Sequence, residues 1–169
     1  MPSDVEEALP PGPIAEAVAR LALDKARAVA TRVREGVVLG ADTVVVVDGQ
    51  PLGKPADPTE ACTMLRRLRG REHEVVTGVA VVDARSGRTA STAVVSRVRM
   101  AEYGEAEIEA YVATGEPLDK AGAYAIQGRG GAMVAALQGS FSNVVGLPLE
   151  ETAVLLTAFG VPVSAPPAR

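Results

Sequence analysis

An α/β domain is what the sequence predicts, and three observations predict it. The chain has 169 residues, a length that suits one domain able to bury about 70% of the surface its unfolded form exposes. Segments with apolar residues at helical spacing alternate with β-branched runs. No internal repeat or linker interrupts them. A single domain with at least four strands and four helices is therefore expected over residues 1–160, with a loose tail over 161–169.

The elements follow in order. Pro10-Pro11-Gly12-Pro13 punctuates the start, and Pro13 suits a first helical position. Ile14, Ala17, Val18, Leu21, Ala22, Ala28 and Val29 then recur at helical spacing to about Val33, and Gly36 ends that helix. Val37 to Val47 is β-branched and too uniformly apolar for a half-exposed strand, so it reads as a central one. Asp48-Gly49 is a hairpin turn signal. Asp57-Pro58-Thr59-Glu60 joins an N-cap, a proline at the first helical position and a glutamate at the third, which predicts a helix from Pro58 to Leu68. Val75 to Val82 and Thr92 to Met100 predict two long strands around Ala84-Arg85-Ser86-Gly87. Ile108, Tyr111 and Val112 mark a helix over about 105–114, and glycines with short apolar pieces fill 115–147. A last helix opens at Pro148, carries Glu150 and Glu151 in its first turn, and closes at Phe159-Gly160.

Composition narrows the function. The chain is 47% hydrophobic and 22% charged, ordinary for a globular protein and unlike a disordered one. A net charge of −4 gives no electrostatic footprint for duplex nucleic acid or an anionic membrane. Three Tyr and two Phe offer little for stacking single-stranded bases. The single histidine, His73, excludes multi-histidine metal sites, so any metal falls to carboxylates and is Mg²⁺ or Mn²⁺. The single cysteine, Cys62, cannot form an internal disulfide, and no apolar stretch is long enough for a membrane span. Nor do the first residues have the charged and apolar regions of a secretory leader. A cytoplasmic protein is expected.

The basic residues are unevenly divided: 14 are Arg, and the three lysines are Lys25, Lys54 and Lys120. In a chain that otherwise uses Arg, a lysine marks a place where a compact ammonium is not interchangeable with a guanidinium.

Asp42 is the first candidate for chemistry. It lies inside the apolar run Val37 to Val47, where an ionised carboxylate needs a metal, a cation or donors to meet it. Either backbone N–H groups satisfy it structurally or it is catalytic or metal-binding. Gly40 and Ala41 leave room for a ligand to approach. Leu52-Gly53-Lys54-Pro55 places an ammonium on a stiff turn, as a phosphate contact or an exposed loop. Gly115 to Tyr124 joins a carboxylate, Asp119, to Lys120 among small residues, and Gln127 follows with an amide able to read a base edge; the segment is either a ligand-binding loop or a polar turn between strands. Gly128-Arg129-Gly130-Gly131 is a weak phosphate-loop candidate, since no clear helix follows it. Arg66, Arg67, Arg69 and Arg71 suit a helix C-terminus better than a nucleic-acid patch. His73 reads as structural or solvent-facing, and Cys62 as a small packing residue.

Together these segments resemble the Maf family of nucleotide pyrophosphatases. The residues that carry the resemblance are Ser3-Asp4-Val5-Glu6-Glu7, Leu23-Asp24-Lys25-Ala26, Gly40-Ala41-Asp42-Thr43, Leu52-Gly53-Lys54-Pro55, Thr77-Gly78-Val79, Gly115 to Tyr124, Ile126-Gln127-Gly128 and Val145-Gly146-Leu147-Pro148. The resemblance implies a two-lobed α/β fold, similar to that of the inosine triphosphatases, with a central cleft around a long mixed sheet. It implies hydrolysis of a nucleoside triphosphate to the monophosphate and pyrophosphate with a divalent metal, Mg²⁺ or Mn²⁺, by a homodimer. The general base then falls on Asp42, the phosphate contacts on Lys25, Lys54 and Lys120, and the residues of pyrimidine preference on Thr43 and Gln127. A metal ligand falls on Glu7, and Asp42 and Asp119 are the further carboxylates expected to share the metal. The pattern looks like the branch acting on dTTP and UTP.

One departure stands against that pattern. Family members open with a strand and a Ser-x-Ser-Pro-Arg-Arg loop that grips the phosphates, and the sequence has no counterpart of that strand–helix unit. Without those arginines the alternative expectation is an inactive or weakly binding module, for nucleotide or for a second copy.

Overall fold

The computed structural model describes residues 8–164. The described part begins with helix α1 (Ile14–Ala30), for which Pro13 is the N-cap rather than the first helical residue. The helix stops three residues before the periodicity does, and 31–33 continue as a turn closed by the Arg32 N–H on the Val29 carbonyl at 2.9 Å. Strand β1 (Val37–Val47) follows and turns back through Asp48-Gly49 into β2 (Gln50–Leu52). Both turn residues adopt positive φ, 54° and 72°, the twist a two-residue hairpin requires.

Helix α2 (Pro58–Leu68) starts as its sequence signals. The Asp57 carboxylate accepts the Glu60 N–H at 2.8 Å, and the Glu60 carboxylate accepts the Ala56 N–H at 2.6 Å. Strands β3 (Glu72–Asp83) and β4 (Thr89–Met100) are each longer than the apolar pattern indicates. The five residues between them leave no room for a crossover, so the pair is antiparallel. Helix α3 (Glu105–Val112) comes next, then three short 3₁₀ turns, Glu116–Asp119, Ala121–Ala123 and Gly128–Met133. Strand β5 (Val134–Gln138), helix α4 (Phe141–Val145) and helix α5 (Leu149–Ala158) complete the fold.

The five strands form one sheet in the order β2-β1-β3-β4-β5. Strand β1 is therefore interior, as its composition predicts. Strand β5 pairs antiparallel with β4, with Val98 opposite Leu137 and a register shift between Arg99 and Met100.

Two units can be distinguished. The described part of Met1–Asp42, Thr77–Val94 and the described part of Leu147–Arg169 make the first; Thr43–Val76 and Val95–Gly146 make the second. In the first, α1 buries Ala17, Val18, Leu21, Ala22 and Ala26. In the second, Leu65, Leu68, Val75, Val98, Met100 and Ile108 are buried at 2% exposure or less and form the centre of a larger apolar core. Burying six such side chains contributes on the order of 10 kcal/mol before chain entropy is set against it.

Candidate active site

In the first unit, Lys25 and Asp42 meet. The Lys25 ammonium donates to Asp42 Oδ1 at 2.5 Å, and both side chains are mostly buried, at 15% and 17% exposure. A cation thus meets the carboxylate embedded in the apolar strand, one of the ways in which such a charge can be accommodated.

Small residues make the meeting possible. A Cβ added at Gly40 would lie 2.5 Å from the Ala22 carbonyl oxygen and 2.9 Å from the Ala26 Cβ. One added at Gly78 on β3 would lie 2.4 Å from the Val18 carbonyl oxygen. Helix α1 therefore seats its backbone directly on β1 and β3. The space expected at Gly40 for a ligand is filled by α1 instead, and the helix so seated carries Lys25 to Asp42. Thr77, beside Gly78, is fully buried.

The second unit holds the other candidates. Asp119 ends the first 3₁₀ turn, and Lys120 follows it; their side chains are 2.9 Å apart. Lys120's hydrogen bond holds the Asp119 carboxyl below its usual range, and the charge of Lys54 adds to the effect. Lys54 is thus a neighbour of that loop, and the Gly122 N–H donates to the Gly53 carbonyl at 3.0 Å to join the two backbones. Thr43, on β1, donates its hydroxyl to the Gly146 carbonyl at the long distance of 3.5 Å. Gln127 is exposed immediately before the third 3₁₀ turn.

Among the described residues, no group of three or more His, Cys, Asp or Glu gathers into a metal cage. Mg²⁺ does not need one, since it usually binds through one or two carboxylates and takes water and substrate phosphate for the rest. The partly exposed Asp42 fits that requirement. Glu7 lies outside the described residues, and Asp119, like Asp42, has a lysine on one oxygen and the other open to a cation.

Other residues prove structural. Arg66 and Arg69 bind Glu105 at 2.8 and 3.0 Å, and Arg71 binds Asp48 at 2.5 Å, so the arginine cluster ties α2 and its end to neighbouring segments. His73 is buried and lies 2.8 Å from the Tyr124 hydroxyl. Gly128 to Gly131 does hold an anion, but an internal one: the N–H groups of Arg129 and Gly130 point at the Glu116 carboxylate. Neither Glu116 nor Tyr111 stands out in the sequence as a functional residue. The Glu-Pro step that opens the 3₁₀ turn was the available signal.

Known proteins resemble this chain along most of its length. The family model described as Maf-like protein matches residues 1–159. A dTTP/UTP pyrophosphatase of Symbiobacterium thermophilum is 56% identical over 88% of this chain and 76% of its own length. Proteins of the same name from Moorella thermoacetica and Anaeromyxobacter dehalogenans are 52% and 53% identical over 96% of this chain. These alignments cover 84% and 83% of the two relatives.

Proposed function

The chain belongs to the Maf family, and from that premise we propose that it hydrolyses nucleoside triphosphates, dTTP and UTP foremost, to the monophosphate and pyrophosphate. What carries the reading is the Asp42 carboxylate held by Lys25, in a chain about half identical to proteins named for that reaction.

Asp42 takes a proton from water as the water oxygen attacks the α-phosphorus. The bond from that phosphorus to the bridging oxygen breaks, and pyrophosphate leaves with the electron pair. Proton removal by a positioned carboxylate accelerates such a step by roughly 10²–10⁴-fold. Lys25 orients the carboxylate. Lys54 and Lys120 contact phosphate oxygens and offset a charge of about −4 on the triphosphate. Glu7, Asp42 and Asp119 are the residues that would hold a divalent cation, Mg²⁺ or Mn²⁺. When bound, it would draw charge from the phosphate oxygens.

Thr43 and Gln127 select the base. A uracil or thymine ring presents a ring N–H between two carbonyl oxygens. A side-chain amide matches that edge with one acceptor and one donor group, and a hydroxyl matches part of it. Sites that hydrogen-bond a substrate group reject analogues lacking it far more strongly than apolar pockets do. A homodimer acting on cytoplasmic nucleotide pools is part of the same reading, and no helix among the described residues is long and apolar enough to cross a membrane.

The non-catalytic alternative is not favoured, because the relatives that align over most of this chain carry an enzyme's name. The test is pyrophosphate release by the chain with Mg²⁺ and dTTP, UTP, CTP or a purine triphosphate. Release is expected chiefly from dTTP and UTP. Binding without release would revive the alternative, and a purine preference would remove the assigned base selection.

A further inference from the structure

Glu116 binds two loops at once. Its Oε1 accepts the Tyr111 hydroxyl at 2.9 Å and the Gly130 N–H at 3.1 Å, and its Oε2 faces the Arg129 N–H at 3.3 Å. Tyr111, from α3, also accepts the Ala125 N–H at 3.1 Å. Burial pushes the phenol's pKa up, so it stays protonated and donates to the carboxylate. Burial alone would raise the Glu116 carboxyl as well, yet the bonds from Gly130, Tyr111 and Arg129 hold it below its ordinary value. Charge-assisted bonds of this kind are about twice as strong as neutral ones.

The surroundings are shaped to the clamp. A Cβ at Gly130 would lie 2.5 Å from the Tyr111 hydroxyl and 2.3 Å from the Ala125 carbonyl oxygen, and one at Gly128 would lie 3.0 Å from Glu116 Oε2. Any side chain at Gly130 would force this arrangement open. Glu116 opens the turn that ends in Asp119 and Lys120, whereas the amides it holds lie two and three residues after Gln127. One carboxylate therefore ties the backbone beside the phosphate-contacting lysine to the backbone beside the base-reading amide.

We propose that Glu116 is a positioning residue for base selection, fixing Gln127 in register with Lys120. The inference rests on the reading that Gln127 selects the base. Misplacing a positioned group by about 1 Å can cost on the order of 10²-fold, and here the cost falls on the nucleotide whose base is read.

Glu116→Gln keeps the shape but turns an NH₂ group toward a backbone N–H, so at least one bond is lost. In that variant the ratio of kcat/KM for dTTP to that for GTP is expected to fall about tenfold, chiefly through a higher KM for dTTP. Amide hydrogen exchange at Arg129 and Gly130 is expected to quicken alongside it. Tyr111→Phe removes one donor, should move both readouts the same way, and serves if Glu116→Gln does not fold. Equal loss for both nucleotides, or unchanged exchange, would make Glu116 merely structural and overturn the proposal. A wild-type chain with no dTTP preference overturns the proposed function and this inference together. A wild-type preference that neither variant moves overturns this inference alone.

Discussion

Lys25 and Asp42, seventeen positions apart in sequence, stand 2.5 Å apart because α1 lies directly on β1. The pair joins the helix to the strand that carries the proposed base. Removing Lys25 takes from the largely desolvated Asp42 carboxylate the cation that meets it, which costs more than the pair itself contributes.

Asp42→Asn is accordingly expected to lower kcat for dTTP by about 10²–10⁴-fold with the fold retained. Lys25→Met should also lower kcat. In the double variant the two losses should fall well short of adding, as they do for residues that act as one unit. Steady-state pyrophosphate release from the four proteins gives the cycle. Full turnover in Asp42→Asn would show that the base has been misassigned.

The seating of α1 makes a separate prediction about stability. Gly78→Ala places a methyl 2.4 Å from the Val18 carbonyl oxygen and 2.6 Å from the Ala19 nitrogen, both main-chain atoms of a helix. The helix has to shift, at a cost of about 1–3 kcal/mol. Gly40→Ala meets the same helix at Ala22 and Ala26 and should cost a similar amount. By contrast, Gly53→Ala meets nothing within 4 Å and should stay within about 0.5 kcal/mol of wild type. Urea midpoints distinguish the three. Since α1 also carries Lys25, the first two variants should lose turnover as well.

Lys54 and Lys120 should act through binding. Replacing either by Gln removes the proposed charge-assisted contact to phosphate and is expected to raise KM for dTTP about tenfold. The salt dependence of kcat/KM should weaken in both variants, because an exposed ammonium is screened over about 10 Å at 0.1 M salt. Two KM values indistinguishable from wild type would remove these lysines from the phosphate site.

Much of the fold was legible because its signals are local. The Asp57 cap, the Asp48-Gly49 turn and the β-branched run of β1 each act over a few residues, and each appears where its chemistry puts it. Strand β5 and helix α4 were not legible. The strand is five residues long, mostly exposed, and set by its pairing with β4 about forty positions earlier. The helix is as short and depends on the Ser140 hydroxyl accepting the Asn143 N–H at 3.1 Å. Candidate site residues could be named from their motifs, but motifs do not say which side chains touch. Gly40 read as room for a ligand, and the helix that fills that room is visible only once the chain is folded.

His73 makes the last prediction, and it concerns pH. The ring is buried at 3% exposure beside the Tyr124 hydroxyl, and its Nδ1 has no hydrogen-bond partner among the described residues. Burial lowers its pKa from 6.5 to about 4. In the unfolded chain it ionises near 6.5, so between pH 6.5 and about 4 the unfolded state holds the extra proton. Stability is complete above that window and falls with pH through it, by about 3 kcal/mol from this group alone. His73→Gln, which keeps a polar partner for Tyr124 and cannot titrate, should flatten this part of the acid limb. Urea unfolding at intervals from pH 7 to pH 4 measures both proteins. An acid limb of the same slope in the variant would assign the loss to carboxylates instead.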